Sequence, residues 1–549
     1  MVEEPVKKGG GSEVVTDRGG SRWSDLFRLE DYWAIWLGFA LIVAGMLIFF
    51  PRPPEGMRES IAAANSAMAR ESESAPFKTV EWHRASDSKK KIKASGEDYA
   101  KKIGRWLDAP HGWKGNPADA FYMSGAEAEA KNAGATEKYE AAKGAADEAL
   151  EEAIAAENRA RLADFKDTEL NEGAKAAIGA WREAKEKESS AKKKTQATAF
   201  SLAGNLAVLC VALAVFFGVG MLFMGKPVGR FAAGFPLVFV LAVLSLMLKE
   251  QATMKEYGIG YAAWAILFGL LISNTVGTPK WAMPAVQTEY YIKTGLVLLG
   301  AEILFGKIVS IGIPGIFVAW VVTPIVLVTT FIFGQRVLKM ESKTLNITIS
   351  ADMSVCGVSA AIATAAACRA KKEELTLAVG MSLVFTSIMM IVIPNVVKAV
   401  GMDHVLGGAW MGGTIDATGA VAAAGAFLSE RALYVAATIK MIQNVLIGVI
   451  AFCVAVYWCA RVDCAPGRRV SWLEIWYRFP KFVLGFIAAS VIFSLIYQSM
   501  GADAGYTMIE QGVIRGFTRN FREWFFCLAF VSIGLATDFR ELGKYFKGG

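Results

Sequence analysis

Between residues 199 and 549 the chain carries only 27 Lys/Arg and 18 Asp/Glu, and these 45 charges lie mostly between long apolar runs. A soluble domain of that length must cover its surface with charged side chains, and this stretch lacks the residues to do so. It is therefore read as a membrane domain. Leu, Ile, Val, Phe and Ala dominate it without low-complexity repetition, which excludes a fibrous or disordered chain.

The apolar runs fall at about 199–224, 231–248, 259–275, 289–306, 310–334, 345–367, 374–398, 404–427, 432–459, 479–498 and 521–537, with one more at 33–50. The predicted fold class is thus an all-α integral membrane protein of 11 to 12 transmembrane segments. Residues 1–32 are read as a cytoplasmic segment and 33–50 as a retained first helix, since no small-residue cleavage site follows it. Alternating the spans from a cytoplasmic N-terminus places Lys226/Arg230, Arg336/Lys339/Lys343, Arg461/Arg468/Arg469/Arg478 and Arg540/Lys544/Lys547 inside, as the positive-inside rule asks. Arg369, Lys371 and Lys372 fall outside on this count, a sign that the preceding segment does not cross as a simple helix. The last run is followed by no further span, so a final C-terminal helix is expected to be missing.

Residues 51–198 form a hydrophilic insertion with 26 basic and 26 acidic side chains. From Gly125 to Lys194 it is rich in Ala, Glu and Lys and free of proline, the composition of solvated helix, with a thin stripe of Leu150, Ile154, Leu162, Phe165, Ile178 and Trp181. A helical hairpin on the periplasmic side is expected, as a docking module or as decoration. Residues 199–549 form the polytopic domain.

The seven cysteines lie in or beside apolar runs, and His83, His111 and His404 are scattered. Neither a disulfide framework, a metal centre nor a cofactor site is expected. A phosphate-binding glycine loop with its Lys-Ser/Thr is absent, so ATP-driven transport is unsupported, and without a nucleophile–base set an enzyme is not expected. Nucleic acid is not an expected partner.

Two runs make poor simple spans. One, residues 347–362, holds Asp352, Ser354, Cys356, Gly357 and Ser359. The other, residues 407–425, holds six glycines with Gly413, Thr414, Asp416 and Thr418. Each glycine costs a helix interior roughly 1 kcal/mol against Ala, and each acid at membrane depth roughly 2.5–3.5 kcal/mol. Small-residue packing explains the Ala/Gly tracts but not the acids. Discontinuous helices whose ends line a site explain both. Lys440 lies eight residues into an apolar run, where it either snorkels to an interface or faces Asp416 or an anion. The strings around Gly300-Ala-Glu302 and Gly534 to Asp538 echo one another, as do Ser354 to Ala361 and Thr414 to Val421, which suits two related halves in an inverted repeat.

Gly269-Leu-Leu-Ile-Ser-Asn274, Thr294 to Gly300, Val355-Cys-Gly357-Val-Ser359, Ala422-Ala-Ala-Gly425, Thr438-Ile-Lys440 and Leu535-Ala-Thr-Asp538 together resemble the family of bacterial inner-membrane proteins named as sulfate exporters, the YeiH type. The resemblance covers about residues 230–549. It implies a branch of the cation/proton antiporter and anion transporter superfamily, with inverted repeats, two crossed discontinuous helices and sulfate as substrate. The chain departs from that pattern: Asp416, Ala417 and Ala420 stand where the family usually has His, an acid and Gln, and Gln443 stands where an Arg is usual.

The expected function is a secondary transporter for a small anion, sulfate or a related sulfur oxyanion or organic acid, coupled to H⁺ or Na⁺. Asp352 and Asp416 are the expected coupling residues, with Na⁺ possible at Asp416. Ser354, Gly357, Ser359, Gly413, Thr414, Thr418 and Lys440 are the expected substrate contacts. Asn274, Glu302, Gln443, Asn444 and Asp538 are gate or support candidates. The alternatives are a Na⁺/H⁺-type cation exchanger and a receptor or scaffold acting through 51–198. The expected setting is the lipid bilayer of the inner membrane, multi-pass, as a homodimer.

Overall fold

The structure, a computed structural model, describes residue 15 and residues 22–257, 259–303, 315–462 and 471–540. Gly306, Lys307, Arg468, Arg469, Lys544 and Lys547 of the sequence reading lie outside these. The chain divides into two compact units, one of Met1–Val43, Cys210–Ser494 and Arg519–Gly549, the other of Ala44–Leu209 and Leu495–Thr518. Among the described residues the only strands are Tyr122–Met123 and Phe200–Ser201, paired antiparallel, so the protein is an all-α integral membrane protein.

Eight described helices are long and apolar enough to cross a membrane: Glu30–Phe49, Ala203–Phe223, Val228–Lys249, Gly315–Arg336, Lys343–Cys368, Lys372–Ala399, Glu430–Arg461 and Phe482–Met500. The other four of the twelve apolar runs form helices that do not meet that description. Tyr261–Thr275 and Thr288–Glu302 have 15 residues each, about 22 Å at 1.5 Å per residue against a ~30 Å hydrocarbon core. Residues 404–428 break into two helices of 11 residues. Arg519–Ala536 carries Arg519, Arg522 and Glu523 in its first turns.

In the first unit, Thr288–Glu302 is buried continuously from Tyr290 to Ala301 apart from Lys293, and it packs on Arg519–Ala536. A helix apolar on every side belongs inside a bundle. Its charged side chains Lys293 and Glu302 find partners there. Lys293 pairs with Glu30 at 3.1 Å and Asp31 at 2.9 Å, and Glu302 meets Arg522.

In the second unit, Gly125–Leu162 and Thr168–Lys194 form a helical hairpin. Ser124 and Glu127 close a capping box at the first helix, and Asp167 caps the second through Glu169 and Leu170 N–H groups. Of the apolar stripe read from sequence, Leu150, Phe165, Ile178 and Trp181 lie in or against the hairpin's hydrophobic clusters, and Ile154 and Leu162 are exposed. Leu162 is 88% exposed, whereas Ala146, Ala149, Ala153, Ala156 and Ala160, spaced alternately three and four apart, face the partner helix around Ile178, Trp181 and Ala174. Alanine lets the backbones approach closely, so the rest of the seam is built from residues whose hydrophobicity is too weak to mark it. Cys459 is disulfide-bonded, where the sequence reading expected no disulfide framework.

Candidate functional site

The first interrupted helix starts at Lys343, capped by the Ser342 hydroxyl. After Ala351 it widens into a π-helical segment, Asp352–Cys356, and Gly357 turns it at φ +42° and ψ −129°. A side chain rarely tolerates that backbone, so glycine permits the break. The helix resumes as Gly357–Cys368. The second interrupted helix, His404–Thr414, ends as Ile415 and Ala417 become extended around Asp416, and Thr418–Leu428 follows. Neither resumed helix has a side-chain cap at its start, and at the first break the Gly357 N–H donates to the Asp352 carbonyl.

Glu430–Asn444 lies against both broken helices and joins the breaks. Lys440 is 1% exposed and does not snorkel. Its Nζ donates to the Val355 carbonyl (2.6 Å), the Ile415 carbonyl (2.9 Å) and Gln443 Oε1 (2.7 Å). Three acceptors match the three donors of an ammonium. Gln443 Nε2 donates in turn to the carbonyls of Ser354 (3.1 Å) and Gly413 (3.3 Å) and to Thr323 Oγ1 (3.1 Å). One side chain three residues after another on a helix face thus satisfies carbonyls that both breaks leave free.

Asp352 is fully buried, and neither of its carboxylate oxygens has a hydrogen-bond partner of normal geometry. Oδ2 of buried Asp416 is likewise unpartnered. The two belong to one locus: a Cβ placed on Gly357 would sit 3.1 Å from Ser382 Oγ and 3.6 Å from Asp416 Cβ, while Ser382 flanks Asp352 and the charge of Asp416 acts on it. Such acids are costly to bury unpaired, and unpaired polar groups in a native site point to function. Asn444 Nδ2 donates to Thr418 Oγ1 (3.1 Å), Cys356 Sγ lies 3.6 Å from the same hydroxyl, and Asn444 Oδ1 is unpartnered.

Of the expected substrate contacts, Gly357, Thr418 and Lys440 are at this locus. Ser354 is beside it, but its hydroxyl is spent on the Ser350 carbonyl. Gly413 presents its carbonyl there, bonded to Gln443, which is the wrong polarity for an anion. Ser359 and Thr414 are exposed. Small polar residues in a broken segment look alike in sequence, and only the helix phase separates them.

Asn274 and Asp538 belong to a clasp at the ends of two helices. Asn274 Nδ2 donates to the carbonyls of Leu270 (2.9 Å) and Thr537 (3.0 Å), its Oδ1 accepts from Phe539 N–H (2.7 Å), and Asp538 accepts from Arg540 N–H (2.8 Å). Glu302 belongs to a further network. Its Oε1 accepts from Arg522 Nε at 2.6 Å, both side chains being 2% exposed, and its Oε2 accepts from Tyr434 at 2.9 Å. Arg522 also pairs with Glu430 (2.9 Å), as does Arg519. The sequence reading missed Arg522, Tyr434, Glu430, Ser382 and Thr323. Arg522, inside the apolar run 521–537, carried the same signal as Asp352.

Residues 233–546 match the profile of a family described as conserved hypothetical protein 698. The chain is similar to a UPF0324 membrane protein of Nitratidesulfovibrio vulgaris, 61% identical over 538 residues, which is 98% of this chain and 93% of that protein. That alignment necessarily runs through most of 51–198. UPF0324 membrane proteins of Rhodopirellula baltica (58% over 350 residues, 64% of each chain) and Nitrosomonas europaea (31% over 361 residues, 57% of this chain and 72% of that protein) are also similar. No solved structure matches.

Proposed function

The chain belongs to the conserved hypothetical protein 698 family, whose matched relatives are UPF0324 membrane proteins, and from that premise we propose that it is a secondary transporter moving a small anion across the cytoplasmic membrane. Sulfate, a related sulfur oxyanion or an organic acid is the substrate class, and H⁺ or Na⁺ bound at Asp352 and Asp416 supplies the coupling. One observation carries the reading: two interrupted helices meet the same pair of side chains, Lys440 and Gln443, beside two buried acids with unpartnered oxygens. Half-helix ends around charged groups inside a bundle are how transporters hold ions without water. The anion is received at the uncapped N-terminal turn that starts at Thr418, with the Thr418 hydroxyl and the Lys440 charge nearby. The two broken helices belong to two related halves, and the N-terminus is cytoplasmic.

A second reading, a cation exchanger, is favoured by the unpartnered buried oxygens being acceptors while the Lys440 donors are all spent. Labelled sulfate and labelled Na⁺ fluxes in proteoliposomes, under imposed pH and Na⁺ gradients, separate the two for the parent, Asp416→Asn and Lys440→Ala. Sulfate movement lost in Asp416→Asn supports anion transport. Na⁺ movement without any sulfate movement supports the exchanger, and unchanged fluxes in both variants refute the site.

A further inference from the structure

We propose that Glu430 and Tyr434 form a latch that closes the locus toward one side of the membrane, and that this latch opens and recloses as the protein works. The proposal rests on the transporter reading and adds to it the contact that alternates. Two groups of helices meet in the first unit. Val228–Lys249, Tyr261–Thr275, Thr288–Glu302 and Arg519–Ala536 pack together, and the two broken helices pack on Glu430–Asn444. Inside each group the backbones are in close contact: a Cβ on Gly269 would sit 2.6 Å from the Gly534 Cα, and one on Gly408 or Gly412 would sit 2.7 Å from the carbonyl oxygen of Ala432 or Ala436. Between the groups the fit is looser. A Cβ on Gly419 would meet Ile533, Thr288 and Ile292 at 3.5, 3.7 and 3.9 Å, and one on Gly260 would meet the Ala426 carbonyl at 3.5 Å, ordinary van der Waals distances. Interlocked surfaces resist sliding, whereas a smoother face between two packed bodies permits shear.

What fastens this looser face is polar. Arg522 and Glu302 pair within the first group at 2.6 Å, both side chains being 2% exposed. The second group reaches that pair with two side chains one helix turn apart. Glu430 accepts from Arg522 (2.9 Å) and from Arg519, and the Tyr434 hydroxyl donates to Glu302 Oε2 (2.9 Å). Each partner has a second one in its own group. Arg522 keeps Glu302, Arg519 has Glu523 (3.9 Å), and the Tyr434 hydroxyl has Glu430 (3.1 Å). The Glu430 side chain is itself 40% exposed, so water solvates it when the groups part. Separation therefore strands no buried charge, the cost that otherwise makes a buried pair permanent.

The latch sits at the start of Glu430–Asn444, and Lys440 lies about 15 Å further along the same helix at 1.5 Å per residue. A displacement at Glu430 thus carries the side chain that joins the breaks. Toward the other end of Thr288–Glu302, Lys293 pairs with Glu30 at the start of Glu30–Phe49, and the Glu289 side chain is 50% exposed. That end, where Thr288 and Ile292 lie against Gly419, is the more open one. With the N-terminus cytoplasmic, as proposed above, the latch closes the opposite side.

The test reads the Cys356 thiol, buried 3.6 Å from the Thr418 hydroxyl at the locus. The full chain is treated with a membrane-impermeant maleimide in right-side-out and inside-out vesicles, and the Cys356 peptide is quantified by mass spectrometry. Tyr434→Phe removes one hydroxyl and keeps the ring, and Glu430→Gln removes one charge. Loss of a hydrogen bond to a charged group shifts an equilibrium by about tenfold, so each variant should label about tenfold faster from the side opposite the N-terminus and no faster from the N-terminal side. Unchanged labelling in both variants overturns the latch. An equal rise from both sides also overturns it, because it marks a loosened fold. Sulfate flux absent under every gradient strikes the transport reading instead, and the labelling result then decides the latch by itself.

Discussion

Replacing Lys440 by Met removes the ammonium while keeping an unbranched chain of similar length, so it isolates the charge that joins the two breaks. The side chain makes three hydrogen bonds of 2.6, 2.9 and 2.7 Å at 1% exposure. Hydrogen bonds from a charged donor contribute about 1.5–3 kcal/mol each, or about 4.5–9 kcal/mol together. Against this stands the dehydration of an ammonium, several kcal/mol, which Met does not incur. The acceptors left behind are two main-chain carbonyls and one amide oxygen, and the acids lose their countercharge. The balance is a destabilisation of about 3 kcal/mol, at the lower end of the ~3–5 kcal/mol seen when one partner of a buried charged set is removed. Detergent-purified protein unfolded by SDS titration in mixed micelles, followed by far-UV circular dichroism, measures it. A double-mutant cycle with Gln443→Ala should show coupling of at least ~1 kcal/mol, because the two side chains share a hydrogen bond and bracket the same breaks. A change below ~0.5 kcal/mol for Lys440→Met, with no coupling, would refute the claim that these residues hold the breaks together.

Two further outcomes follow from other parts of the molecule. A Cβ on Gly300 would collide with the Phe486 carbonyl oxygen, whereas one on Gly204 meets nothing within 4 Å. Gly300→Ala should therefore lose about 1–3 kcal/mol in the same titration and Gly204→Ala should be neutral or slightly stabilising. His83 lies between Trp82 and Trp181, and burial, then the Arg182 charge, hold its imidazole below the usual 6.5 despite Asp87, with Lys78 and Lys90 acting in the same sense as Arg182. The unfolded chain then binds the proton more readily than the folded one, so this contribution to stability is complete above pH 6.5 and is lost as pH falls through the lowered value. Thermal unfolding of the full chain should show a smaller loss from pH 7 to pH 5 in His83→Gln than in the parent, and equal losses would refute it.

The membrane class, the long polar insertion and the positions of the two breaks were legible from composition and cost. Asp352 and Asp416 could be singled out because an acid in an apolar run has a price that packing does not repay. The same rule, applied to the run 521–537, identifies Arg522, whose buried pairing with Glu302 is among the strongest polar contacts of the first unit. The hairpin seam was legible only in its larger side chains, Leu150, Phe165, Ile178 and Trp181. The rest of it is alanine, which looks the same on the buried and exposed faces of a helix, and the Leu162 that hydrophobicity also selects points to solvent.

The role of Lys440 shows where the sequence stops. Local pattern places a cation within a buried helix and gives the alternatives of an interface, an aspartate or an anion. Its actual partners are carbonyls 85 and 25 residues away in the chain, and a main-chain carbonyl carries no residue identity for a sequence to display. What the sequence by itself determined is which charges are expensive and where helices cannot continue. Which broken ends meet, and which side chain satisfies them, is decided by tertiary packing, because hydrogen bonds to backbone depend on where the chain has been brought and not on what residues it is made of.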